Sequence, residues 1–235
     1  MTRIVLFDID GTLMLSGGAG ARALGTAFRE LHQVPEVMAE VTYAGRTDPA
    51  IVRDIFRVKL GRHGADGEVE SILERYVTHL RGEIETSPKA LVLPGVEPLL
   101  QSLSGRDDVV LGLLTGNIER GARLKLGRFG LDRYFEFGGY ASDSEDRDEI
   151  ARVALGRARE RCGAGVTAAD TVVVGDTPRD ISCARAIGAR VLAVATGPHS
   201  CAELAGHTPD WLFDDLSDTA GVLRVLLNGT HVQGR

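Results

Sequence analysis

Short apolar runs recur along this chain of 235 residues, each ending abruptly in small, acidic or hydroxyl residues. Arg3–Phe7 (RIVLF) breaks into Asp8-Ile9-Asp10-Gly11-Thr12, and Val109–Leu114 (VVLGLL) into Thr115-Gly116-Asn117. Residues 171–174 (TVVV) lead into Gly175-Asp176-Thr177-Pro178, and residues 191–195 (VLAVA) into Thr196-Gly197-Pro198. Trp211–Phe213, before Asp214-Asp215, is a fifth such run. Runs this short and rich in branched residues read as buried strands. The segments 118–129, 148–161, 178–187 and 216–227 between and after them read as helices. Strand–helix alternation predicts an α/β fold, a Rossmann-like three-layer sandwich around a parallel sheet. Aromatic residues make up only 5% of the chain, which suits such a sheet better than an aromatic-rich β-sandwich. In open parallel sheets, ligands bind beyond the carboxyl ends of the strands, where the polar residues lie here.

Residues 15–87 follow another pattern. Ala19–His32, 49–60 and 68–85 read as helices, the second with Asp48 as N-cap and Pro49 at the first helical position. The third carries Val69, Ile72, Leu73, Tyr76, Val77 and Leu80 on one face. The expected organisation is a core of residues 1–14 and 88–235, with 15–87 as a helical insertion after the first strand. Gly17-Gly18-Ala19-Gly20 and Thr86-Ser87-Pro88 would be its hinges.

Three clusters carry chemistry. Residues i and i+2 of an extended segment point the same way, so Asp8 and Asp10 can face one pocket. Two close carboxylates repel unless a cation or proton lies between them, and hard divalent cations take such oxygen ligands. On spacing alone, a strand-end turn bearing two exposed acids is an equal reading. Asp176 sits just past another strand end and can reach the same cation. Asp180 fits either a capping box with Thr177 or a place in the site. Thr115-Gly116-Asn117 offers a hydroxyl and backbone N–H groups at a strand-to-helix turn, which suits phosphate, or else an ordinary helix start capped by Asn117.

DIDGT after one strand, LLTGN after a second and VVVGDTPRD after a third together resemble the haloacid dehalogenase superfamily of hydrolases. The resemblance spans essentially the whole chain, because the helical insertion lies where the type-1 cap of that family lies. It implies that Asp8 is an aspartyl nucleophile and that Asp10 protonates the leaving oxygen and then activates water. It implies Mg2+ held by Asp8, the backbone carbonyl of Asp10 and Asp176, with Asp180 supporting. Thr115, with the neighbouring N–H groups of Gly116 and Asn117, would hold the phosphoryl oxygens. The family usually has a lysine before the helix that precedes the third motif. This chain has none there, and Arg147 is the natural substitute, as catalytic and phosphate-binding cation. Lys125 is the poorer candidate, ten residues on from Thr115 and about 15 Å away at the rise of a helix.

Gly45-Arg46-Thr47-Asp48 resembles a segment of phosphoglycolate phosphatase-like members, so Arg46 becomes a candidate for a second anionic group or, equally, a structural ion pair. The resulting expectation is an Mg2+-dependent phosphatase for a small phosphomonoester, with 2-phosphoglycolate the first compound to try. A phosphosugar mutase of the β-phosphoglucomutase kind keeps both aspartates and is the alternative. A 2-haloacid dehalogenase and a receiver-like phosphorylated switch fit less well, the first because of Asp10 and the second because of the helical insertion. The net charge of −6 provides no broad basic surface, so a small phosphorylated metabolite rather than nucleic acid is the expected partner. Three cysteines without close pairing, no run long enough to span a membrane and no signal peptide point to the cytoplasm. A monomer or homodimer is expected.

Overall fold

The structure is a computed structural model, and it describes residues 2–37, 40–163 and 165–228. Six strands form one sheet: β1 (Arg3–Phe7), β4 (Val109–Leu114), β5 (Gly138–Gly139), β6 (Thr171–Gly175), β7 (Arg190–Val194) and β8 (Trp211–Phe213). Their spatial order is β5-β4-β1-β6-β7-β8, and every neighbouring pair is parallel. The first strand therefore sits inside the sheet. Ile4 to Phe7 are fully buried, which explains why that run is apolar without alternation.

Helices α4 (Val96–Ser104), α5 (Glu119–Gly127), α6 (Arg147–Cys162), α7 (Pro178–Ala186), α8 (Cys201–Ala205) and α9 (Thr219–Asn228) flank the sheet. Among them, α4 packs with α9 and α6 with α7. The result is a Rossmann-like α/β fold, as the alternation of runs predicts.

Register decides where the polar residues go. Phe7 lies opposite both Leu113 on β4 and Val174 on β6. Asp8, Thr115 and Asp176 thus leave three adjacent strands at the same edge of the sheet. The amide of Asp8 still donates to the Val174 carbonyl at 2.9 Å, so the backbone at Asp8 is held by the ladder.

Between β1 and β4 lie three helices, α1 (Ala19–His32), α2 (Asp48–Leu60) and α3 (Asp66–Thr86). Buried Phe28 and Phe56 meet edge-to-face, with ring centroids 5.2 Å apart, in the small core that these helices share. The chain leaves and returns through a two-strand antiparallel pair, β2 (Met14–Leu15) and β3 (Leu91–Val92). Beside it the Ser87 hydroxyl donates to the Ser16 carbonyl at 3.1 Å, and Gly17 and Gly18 both have positive φ.

Three details differ from the sequence reading. The short strands β2, β3 and β5 and the helices α4 and α8 are not in that reading. The N-cap of α2 is Thr47, and Asp48 is already helical. Asn117 does not cap α5; its side chain turns inward, and the Ile118 N–H is satisfied by the Asp48 carboxylate at 2.9 Å.

Candidate active site

Asp8, Asp176 and Asp180 each offer a carboxylate oxygen within 4.8 Å of the others, and all three are buried. Such a group cannot stay fully ionised without a balancing charge. Burial, aided by Asp180, pushes the Asp8 carboxyl up to about 7, while Arg147 opposes the shift. Burial and the same neighbouring acids raise Asp176 well above the ordinary carboxylate range.

Asp176 accepts from the Thr12 hydroxyl at 2.9 Å through one oxygen. Its other oxygen, Oδ2, is buried without a hydrogen-bond partner. A buried carboxylate oxygen with no donor beside two other carboxylates calls for a proton, a water or a cation, and the three acids together could hold a cation. Glycines keep the space around it open: a Cβ on Gly11, where φ is +88°, or on Gly197 would collide with the Asp176 carboxylate. The donor set is all oxygen and fits a hard divalent cation. The Asp10 side chain lies outside this cluster, so of the four acids named from the sequence only three converge by their carboxylates.

Arg147, the first residue of α6, ion-pairs with Asp180 and approaches Asp8 Oδ1 at 3.8 Å. Burial alone would lower its pKa, but Asp180 and Asp8 outweigh that and hold it charged. Its guanidinium thus lies beside the nucleophile candidate but is held by Asp180. Asp180 serves twice: its other oxygen accepts from the Thr177 amide and hydroxyl at 3.0 and 2.7 Å, forming the capping box of α7.

A cavity of about 700 Å³ opens between the strand ends and α1–α3. Asp8, Asp10, Thr115, Gly116, Asn117 and Asp176 line it. Arg147 instead lines a smaller cavity of about 320 Å³ together with Arg46 and Arg179. In the larger one the neglected residue is Lys125. Its ammonium donates to Asp10 Oδ2 and to Asn117 Oδ1, both at 2.6 Å. Burial disfavours that charge, but Asp10, Tyr76 and Asp48 more than compensate and raise the Lys125 pKa.

Because α5 begins only at Glu119, the helical rise does not measure the distance from Thr115 to Lys125. The Lys125 side chain reaches back to Asn117, two residues after Thr115. Asn117 completes the group by donating to Asp10 Oδ2 and to Thr115 Oγ1, each at 2.8 Å. The Thr115 hydroxyl accepts this bond and keeps its own proton to donate. The Thr115 amide is taken by the Gly139 carbonyl at 3.1 Å and so does not join a phosphate cradle.

The insertion reaches the site through residues 45–48. The Asp48 amide donates to the Gly116 carbonyl at 2.8 Å, and Arg147 Nη1 donates to the Gly45 carbonyl at 3.3 Å. Burial pushes the Asp48 carboxyl up to about 6, against the opposing pull of Lys125. Arg46 lines both cavities, but its guanidinium is paired with Asp54 on α2. The structure thus gives Arg46 the structural ion pair that the sequence reading held as its alternative.

Comparison with known proteins agrees with this geometry. The family model for haloacid dehalogenase-like hydrolases matches residues 2–188. The probable phosphatase IndB of Dickeya dadantii is 26% identical over 230 residues, covering 97% of this chain and 96% of that protein. A phosphoglycolate phosphatase of Pseudomonas syringae pv. tomato is 28% identical over 220 residues, covering 92% and 78%. In fold, the crystal structure of a predicted phosphoglycolate phosphatase from Haemophilus somnus superposes with a TM-score of 0.71 at 20% identity, covering 94% of this chain and 97% of that one. With its family motifs at three adjacent strand ends around one buried acidic cluster, the chain belongs to the haloacid dehalogenase-like hydrolases.

Proposed function

We propose that the protein is an Mg2+-dependent phosphatase that hydrolyses a phosphomonoester through a phosphoryl group held transiently on Asp8. The observation that carries this reading is the buried convergence of Asp8, Asp176 and Asp180, with one Asp176 oxygen left without a donor, where Asp8 and Asp176 line a cavity. The phosphatase names of the relatives support the same class of reaction.

Asp8, Asp176 and Asp180 would hold the cation, with the backbone carbonyl of Asp10 as a further ligand. Bound Mg2+ would supply charge neutralisation for Asp8 and for the phosphoryl oxygens. Asp8 attacks phosphorus, and the bond to the leaving oxygen breaks. Asp10 gives its proton to that oxygen. It then takes a proton from the water that attacks phosphorus and frees Asp8. Lys125 and Asn117 fix the Asp10 carboxyl in place for both transfers. The Thr115 hydroxyl donates to a phosphoryl oxygen. Arg147 offsets the negative charge of Asp8 and Asp180 from behind. These contributions are positioning and preorganised charge, the main terms in phosphoryl transfer.

The test is phosphate release from a panel of monoesters, with Mg2+ or with chelator, beside the variant Asp8→Asn. The reading requires that chelator and Asp8→Asn each abolish release. Release that survives both defeats it. Product isomers in place of free phosphate would favour the mutase alternative.

A further inference from the structure

We infer that the alcohol leaving this site is uncharged and largely apolar, larger than the two-carbon acid released from 2-phosphoglycolate. The inference rests on the phosphatase reading and extends it to the substrate.

The phosphoryl group belongs at the Asp8–Thr115 end of the cavity, so the rest must hold what is attached to it. A volume of about 700 Å³ lies in the range that encloses a drug-sized molecule. The far wall is built by α1, α2 and α3, which present Leu24, Ile51, Leu73 and Tyr76. Leu15 and Tyr43 also line the cavity and are 38% and 57% exposed, unusually open for large apolar side chains.

The charges point the same way. Three cations line the cavity among the described residues: Arg46, Lys89 and Lys125. Lys125 is bound to Asp10 and Asn117, and Arg46 is paired with Asp54. Lys89 is exposed, where an ion pair contributes little. Asp48 adds a half-buried carboxyl to the same wall. A carboxylate on the substrate would lose water there and meet acids whose countercharges are already engaged. An uncharged carbon skeleton would instead cover Leu24, Ile51 and Leu73 and gain by removing their surface from water.

The experiment compares kcat/KM, with Mg2+, for ethyl, butyl and hexyl phosphate and for 2-phosphoglycolate. These are all esters of primary alcohols, and ethyl phosphate carries a methyl group where 2-phosphoglycolate carries its carboxylate. The inference predicts a rise of roughly threefold to fourfold per added methylene, with 2-phosphoglycolate below ethyl phosphate. Leu73→Arg should flatten the alkyl series and raise 2-phosphoglycolate. A flat series in the wild-type protein, or 2-phosphoglycolate above hexyl phosphate, overturns the inference and leaves the phosphatase reading standing. No hydrolysis of any of the four above the Asp8→Asn background would defeat that reading and this inference with it.

Discussion

Lys125 carries the clearest consequence at the scale of single residues. It is buried, it touches Asp10 and Asn117, and it faces the cavity. Without it, Asp10 keeps only Asn117 as a fixed partner. Lys125→Met preserves the length of the stem and removes the charge. It should lower kcat by about a hundredfold, the usual worth of a well-held general acid–base group. Steady-state kinetics on the preferred monoester measure this, and an unchanged kcat would reduce Lys125 to a packing role. The residues that could be read from sequence are those whose position follows from a strand end: Asp8, Thr115 and Asp176. Lys125 could not, because its contacts with Asp10 and Asn117 depend on where α5 begins and how its long side chain lies. Arg46 could not either, because its partner Asp54 is one of several acids available to it.

At the scale of elements, Asp48 ties the start of α2 to the start of α5. Asp48 opens α2, gives its amide to Gly116 and accepts the Ile118 N–H that α5 would otherwise leave unpaired. One helix thus provides the N-terminal acceptor of another. Asp48→Ala should cost about 1 kcal/mol in thermal or denaturant unfolding and raise KM several-fold, because the Gly45–Asp48 segment would loosen over the cavity. Asp48→Asn keeps an acceptor and should recover most of the stability. Equal losses in both variants would show that charge, not the hydrogen bond to Ile118, matters. The strands β1, β4 and β6 were plain in the sequence, since strands buried on both faces read as unbroken apolar runs. Strands of two residues such as β5 carry no periodicity to detect. That α2 would cap α5 from outside is a tertiary fact, which the Asp48-Pro49 pair disguises as an ordinary N-cap.

At the scale of the whole molecule, the acidic cluster ties folding to pH and to metal. The Asp8 carboxyl is raised from 3.8 to about 7 and that of Asp48 to about 6, each first of all by burial. Between about pH 4 and 7 these two carboxyls therefore hold more protons in the native state than in the unfolded chain. The stability they contribute to the metal-free protein should fall as pH rises through that window. A divalent cation binds the deprotonated cluster and should reverse the trend. The Tm gain on adding Mg2+ is predicted to be larger at pH 8 than at pH 5, as measured by calorimetry. A gain that does not depend on pH would mean that the cation binds elsewhere. The overall α/β architecture was legible from the order of runs and motifs, and so were the three helices between β1 and β4. The apolar wall of the cavity was not, since it arises from how three helices turn their faces together. No described helix is long and apolar enough to cross a membrane.

Whether an Asp8 oxygen bonds to phosphorus during turnover is open to direct measurement. The protein is mixed with Mg2+ and a hydrolysed monoester, quenched in acid within a turnover and digested. Mass spectrometry then locates the phosphoryl group. The prediction is a phosphorylated peptide spanning Asp8, absent from Asp8→Asn, whose turnover should fall by on the order of a thousandfold or more. A phosphoryl group on another residue, or wild-type turnover by Asp8→Asn, would contradict it.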